Sequence, residues 1–189
     1  MDKKRLYSLA GMMLLFSVGT PLLLRLIFPS ENEGTTILSM ISTITVALTG
    51  IALLGKAFKG DLVPDIVLVG LFGILALVAG IGFLSNIVWL FNYGNIKVLW
   101  TWWMVIDGGL VTITYASMAA IIALKDTFGG FFFVPAGLRA CTAFVWFLVH
   151  CFGIFGMMPV GFMASFLELG FGFLKVGALL FTGIAINSK

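Results

Sequence analysis

The sequence predicts an all-α integral membrane protein: a bundle of about six transmembrane helices joined by short loops, with both termini cytoplasmic. Three observations carry that expectation. Of the 189 residues, 61% are hydrophobic and only 10% charged, against roughly 25% charged in soluble domains. Apolar runs of about 20 residues, the length that crosses a hydrocarbon core, recur from end to end. The stretches between them are too short for an extramembrane domain, so 1–189 reads as one transmembrane helical domain.

The first span is expected near 6–28. Lys3-Lys4-Arg5 directly precedes it, a cationic flank that membrane-inserting segments keep on the cytoplasmic side. The run exceeds the roughly 7–15 apolar residues of a cleavable signal and lacks a small-residue cleavage site, so it is retained as a helix. Pro29 to Thr36 then interrupt the apolar pattern, and a second span follows near 37–55. Lys56 to Pro64 separate it from a third near 65–92, and Asn92 to Lys97 separate that from a fourth near 98–124. The fifth and sixth are expected near 131–157 and 159–187, after the Lys125 to Gly130 break and on either side of a Met157-Met158-Pro159 turn. Proline and glycine punctuate these breaks because neither continues a helix comfortably.

Charge distribution sets the orientation. With the amino terminus inside, Lys3, Lys4, Arg5, Lys56, Lys59, Lys125 and Lys189 are cytoplasmic, whereas only Lys97 and Arg25 lie toward the outside, where the first loop carries Glu31 and Glu33. Positive charge retained inside is the usual determinant of topology. The expected location is therefore a plasma or inner membrane. The formal charge of +3 does not indicate nucleic-acid binding, because the basic residues are scattered and form no face interleaved with aromatics.

Trp89, Trp100, Trp102, Trp103 and Tyr93 gather around the third loop and read as an interfacial aromatic belt, with a stacking platform for a flat ligand as the sharper alternative. Gly70, Gly73, Ala76, Ala79 and Gly80 recur at helical spacing, which predicts a face where another helix comes close. Cys141 and Cys151 lie ten residues apart on one expected helix, about 15 Å along its axis and beyond disulfide reach.

Five ionisable residues fall well inside the expected spans: Asp107, Arg139, His150, Glu168 and Lys175. Each would cost at least about 2–3 kcal/mol if charged and facing lipid, so each is expected to face protein or water. Arg139 and His150 are eleven residues apart and Glu168 and Lys175 seven, so each pair shares a helix face to within about 20°. Folding the last two spans about Met158 matches depths in two layers. His150 with Glu168 forms an outer layer suited to an ion pair or proton exchange, because imidazole changes charge near neutral pH; Asp107 is expected to join it. Arg139 with Lys175 forms an inner layer of two cations, which repel unless an anion, a lipid headgroup or the carboxylates compensate. The bland alternative has the basic stems snorkelling to the cytoplasmic interface.

Several chemistries lose support. One histidine cannot supply the paired ligands of a bis-histidine membrane cytochrome, and no HExxH, GxSxG, CxxC or Walker loop is present. Asp107-Gly108-Gly109 alone is too short a signal for an intramembrane aspartyl site. Lys175 with Asp107 invites comparison with the Schiff-base lysine and counter-ion of retinal proteins, but those use seven spans. No catalytic residue, metal or cofactor is therefore expected. The five polar residues are the candidate binding set, and the expected function is transport or recognition of a small solute or proton by a cavity between spans four and six. The expected partners are the lipid bilayer, a small solute or lipid headgroup, and other membrane subunits or further copies of the chain. The rival reading is a non-catalytic structural or assembly subunit of a larger membrane complex.

Overall fold

The structure, a computed structural model, describes residues 2–27, 37–60, 63–94, 98–153 and 162–188. The Met157-Met158-Pro159 turn, the loop with Glu31 and Glu33, Lys97, Lys189 and the side chain of Arg25 lie outside the described residues. Among those described there is no strand, and six helices are long and apolar enough to cross a membrane. They are α1 (Lys3–Ile27), α2 (Ile37–Lys59), α3 (Asp65–Asn92), α4 (Leu99–Ala123), α6 (Phe133–Phe152) and α7 (Phe162–Asn187), with a one-turn α5 (Lys125–Phe128) and a 3₁₀ turn at Gly129–Phe131 leading into α6. α6 ends five residues before the expected limit at 157, because Gly153 turns left-handed at φ 62° and its N–H closes on the Val149 carbonyl at 2.9 Å, the glycine-specific way to stop a helix.

The helices form a ring. Each packs against its sequence neighbours, α4 meets α6, and α7 closes the circle against α1. Chain ends therefore meet: Lys3 Nζ donates to the Ser188 carbonyl at 3.3 Å. At this same end Asp65 pairs with Lys56 and with Lys125, the latter at 3.3 Å, which ties the start of α3 to the end of α2 and the start of α5. Lys56 also lies 5.7 Å from the Tyr7 ring centroid, within cation–π range.

The interior divides along the ring axis. The half nearest the termini is filled by apolar side chains, including Leu6 and Ala10 of α1, Leu53 of α2, Phe72 of α3, Met118 of α4 and Leu179 of α7. Large apolar side chains also face outward, Phe16, Leu77 and Phe166 among them. Buried threonines close locally: Thr49, Thr114 and Thr182 each donate to the carbonyl four residues back at 2.7–2.8 Å. Their hydroxyls are thus satisfied without an interhelical partner.

Helices approach most closely where glycine is required, and these are not the positions the α3 pattern predicts. Nothing lies within 4 Å of a Cβ added at Gly70 or Gly73, and at Gly80 the nearest atom is Thr112 Cγ2 at an ordinary 3.6 Å. Periodic small residues mark a face without saying that a helix of the same chain covers it. By contrast, a Cβ on Gly11 of α1 would fall 2.7 Å from the Gly50 carbonyl oxygen of α2, and one on Gly50 would fall 3.0 Å from that of Gly11. Gly11→Val should therefore lower the melting temperature in detergent, corresponding to about 1–3 kcal/mol of overpacking, while Gly73→Leu should leave it nearly unchanged. Equal effects in a thermal-denaturation series would contradict this packing.

Candidate functional site

The other half of the ring is hollow and polar. α6 and α7 run antiparallel in a register set by side-chain size. A Cβ on Gly172 would lie 2.6 Å from that of Ala143, and one on Gly183 would collide with Phe132. Both pairs are spaced almost equally about position 158, so residues at matched distances from 158 face one another. That register brings His150 opposite Glu168 and Arg139 opposite Lys175.

A cavity of about 470 Å³ is lined by all five expected residues, together with Ser17 and Pro21 of α1 and Trp146 of α6. His150 Nδ1 lies 2.5 Å from Glu168 Oε2, with the histidine 14% and the glutamate 60% exposed, so the pair stands at the mouth. Deeper in, Arg139 stands thirteen residues before the end of α6 and Lys175 thirteen after the start of α7. At 1.5 Å per residue both are about 20 Å from those ends, which puts Lys175 near the middle of α7 and Arg139 near the middle of the Lys125–Phe152 span, six residues into α6 itself. They do not snorkel to an end; they repel one another across the cavity. Their floor is the apolar half of the core, since Ala136 and Val176 lie next below them.

Asp107 does not join the outer layer as expected. Its carboxyl is hydrogen-bonded to the Trp146 side chain and attracted by Arg139, so it stands between the layers, and its Oδ1 is buried without a hydrogen-bond partner. Gly108 and Gly109 pack this part of α4 on Phe83 of α3. Arg139 donates from one guanidinium nitrogen to Thr142 Oγ1 at 3.2 Å, but its buried Nε has no partner. Among the described residues no carboxylate lies within ion-pair distance of Arg139 or Lys175.

Trp146 is the residue that the charge pattern overlooked. It hydrogen-bonds Asp107, its ring centroid lies 5.0 Å from that of His150, and Trp100 meets it edge-on at 5.0 Å. Positions 139, 146 and 150 share one face of α6, and that spacing was the available signal. Trp100 thus turns inward and Trp103 is buried, while Trp89, Trp102 and Tyr93 keep the outward placement of a belt. Ser17 and Pro21 are uncharged and gave no comparable signal. Pro21 has no N–H, so the Ser17 carbonyl four residues back loses its helical donor. A second cavity of about 170 Å³, between α1 and α2, shares Ser17, Pro21 and Lys175 with the first.

No metal-binding group of three or more His, Cys, Asp or Glu occurs among the described residues. Comparison of the chain with protein-family models, curated proteins and solved structures gave no match.

The His150–Glu168 contact gives a direct test of the register. In a double-mutant cycle, His150→Gln and Glu168→Gln should be coupled by about 0.5–1 kcal/mol, a modest value because Glu168 is largely exposed. Additive effects on thermal stability would show that the two side chains do not meet.

Proposed function

We propose that this chain is a six-span integral membrane protein that recognises a small polar solute in the cavity between α1, α4, α6 and α7 and carries it across the bilayer, with the His150–Glu168 pair handling a proton. The observation that carries this reading is the convergence of five ionisable side chains on one cavity, at depths where exposure to lipid would cost each about 2–3 kcal/mol. Six apolar helices with apolar outward side chains support the membrane setting. The basic residues at the end holding both termini support a cytoplasmic location for that end, in a plasma or inner membrane.

Orientation is tested in a background lacking Cys141 and Cys151. A cysteine at Tyr93 should react with an impermeant maleimide on intact cells and one at Ser188 only after permeabilisation; the reverse pattern refutes the topology. For transport, proteoliposomes with an imposed pH gradient should take up the cognate solute. Glu168→Gln and Lys175→Met should each impair uptake, with the double variant losing less than the two separate losses combined, because the residues share one site. His150→Gln should remove the dependence on the gradient. Uptake that is unchanged in all of these variants would refute the carrier reading.

One observation favours a second reading, that of a non-catalytic subunit of a larger membrane complex: Gly70 and Gly73 leave an open strip on α3 where a helix of another protein, or of a second copy, could lie close. Native mass spectrometry of the detergent-extracted protein separates the two, since a solitary carrier leaves the membrane without stoichiometric partners.

A further inference from the structure

The cavity contains more positive than negative charge at its floor, and that imbalance identifies what it receives. Arg139 and Lys175 face one carboxylate, Asp107, whose charge is already engaged by the Trp146 hydrogen bond and attracts Arg139 alone. Glu168 does not make up the difference. It lies seven residues up α7 from Lys175, about 10 Å along the axis, and is held at the mouth by His150. That contact and that distance hold its carboxylate away from the floor, where Lys175 has no acidic neighbour of its own among the described residues. Two cations therefore share one carboxylate at the floor, and the second has no counter-charge within ion-pair distance among the described residues; a lone buried charge costs several kcal/mol.

The hydrogen-bonding groups agree with the charge count. Arg139 Nε is buried and unpartnered, and the Lys175 ammonium, which has no hydrogen-bond or ion-pair partner among the described residues, borders both cavities. These donors await an acceptor. Asp107 Oδ1, also buried and unpartnered, awaits a donor. Trp146 and Phe171 supply apolar wall. The volume of about 470 Å³ is within the usual range for a small organic ligand and generous for a bare halide.

Resting on the solute-recognition reading above, we infer that the solute is a small organic monoanion, its negative group seated between Arg139 and Lys175 and a hydroxyl or similar donor turned to Asp107. A single negative charge could also be the phosphodiester of an anionic lipid. Lys175 lies about 20 Å from either end of α7, however, and Arg139 about as far from either end of the Lys125–Phe152 span, deeper than a headgroup sits, which favours a free solute.

The test uses the intact chain purified in detergent. Isothermal titration with lactate, benzoate, choline and glycerol, at ionic strength fixed with sulfate, should show binding of the two carboxylates alone, with lactate favoured by its hydroxyl. Affinity should fall about tenfold or more in Lys175→Met and in Arg139→Gln, be largely kept in Lys175→Arg, and be unaffected in Lys59→Gln. Failure of both carboxylates to bind the parent protein, or equal binding by Lys175→Met, overturns the inference. Binding of choline or glycerol that requires Asp107 or Arg139 would overturn the anion class while leaving the solute-recognition reading standing. Native mass spectrometry with added phosphatidylglycerol distinguishes the source: lipid retained by the parent and lost in Lys175→Met, without carboxylate binding, overturns the free solute and assigns the seat to a lipid phosphodiester.

Discussion

The crossing of α6 and α7 at Ala143 and Gly172 fixes what the rest of the polar half can be. A glycine there lets the two helices run close enough that residues at matched distances from position 158 face one another, which sets His150 against Glu168 and Arg139 against Lys175. A shift of one residue would turn each side chain by about 100° around its helix and separate both pairs. Ridge-and-groove packing between apolar residues would tolerate several registers, whereas the matched polar pairs tolerate one.

Around that hairpin the ring divides into two halves with different physics. Near the chain ends, aliphatic and aromatic side chains from all the long helices meet, with the lysine–aspartate knot at the rim. In the other half, the space enclosed by α1, α4 and the hairpin holds charges that cannot all neutralise one another within the described residues. The boundary is abrupt, one turn from Arg139 to Ala136, so the cation pair rests directly on an apolar floor. A floor of this kind blocks a polar solute from passing in this conformation, and transport by the proposed route requires the helices to rearrange there.

Much of this was legible in the sequence because apolar run length and charge position are strong signals. The third helix appeared as 65–92, as read, and the matched depths of the hairpin residues followed from counting about Met158. What was not legible depended on facing rather than on composition. The small-residue stripe of α3 is real, but the chain covers other glycines, Gly11 and Gly50, whose isolated positions carry no pattern. Asp107 was counted by depth from the helix end, whereas its level is decided by Trp146, a residue grouped with none of the charges. Ser17 and Pro21 escaped notice because a freed backbone carbonyl has no letter in the sequence. The stop at Gly153 lies inside an apolar run that hydropathy alone reads as continuous.

Because the ring closes between α7 and α1, α1 finds its second neighbour only when α7, far along the chain, is complete. Until then Leu6, Ala10 and Leu14 wait without Val176 and Leu179, and Arg139 and Asp107 wait in a half-built site without Lys175. Contacts this distant along the chain form late and slowly. Assembly of the ring therefore has a vulnerable interval, in which five helices must be shielded or held before α7 arrives, and a truncation that removes α7 should leave an open, charge-bearing bundle and not a smaller closed one.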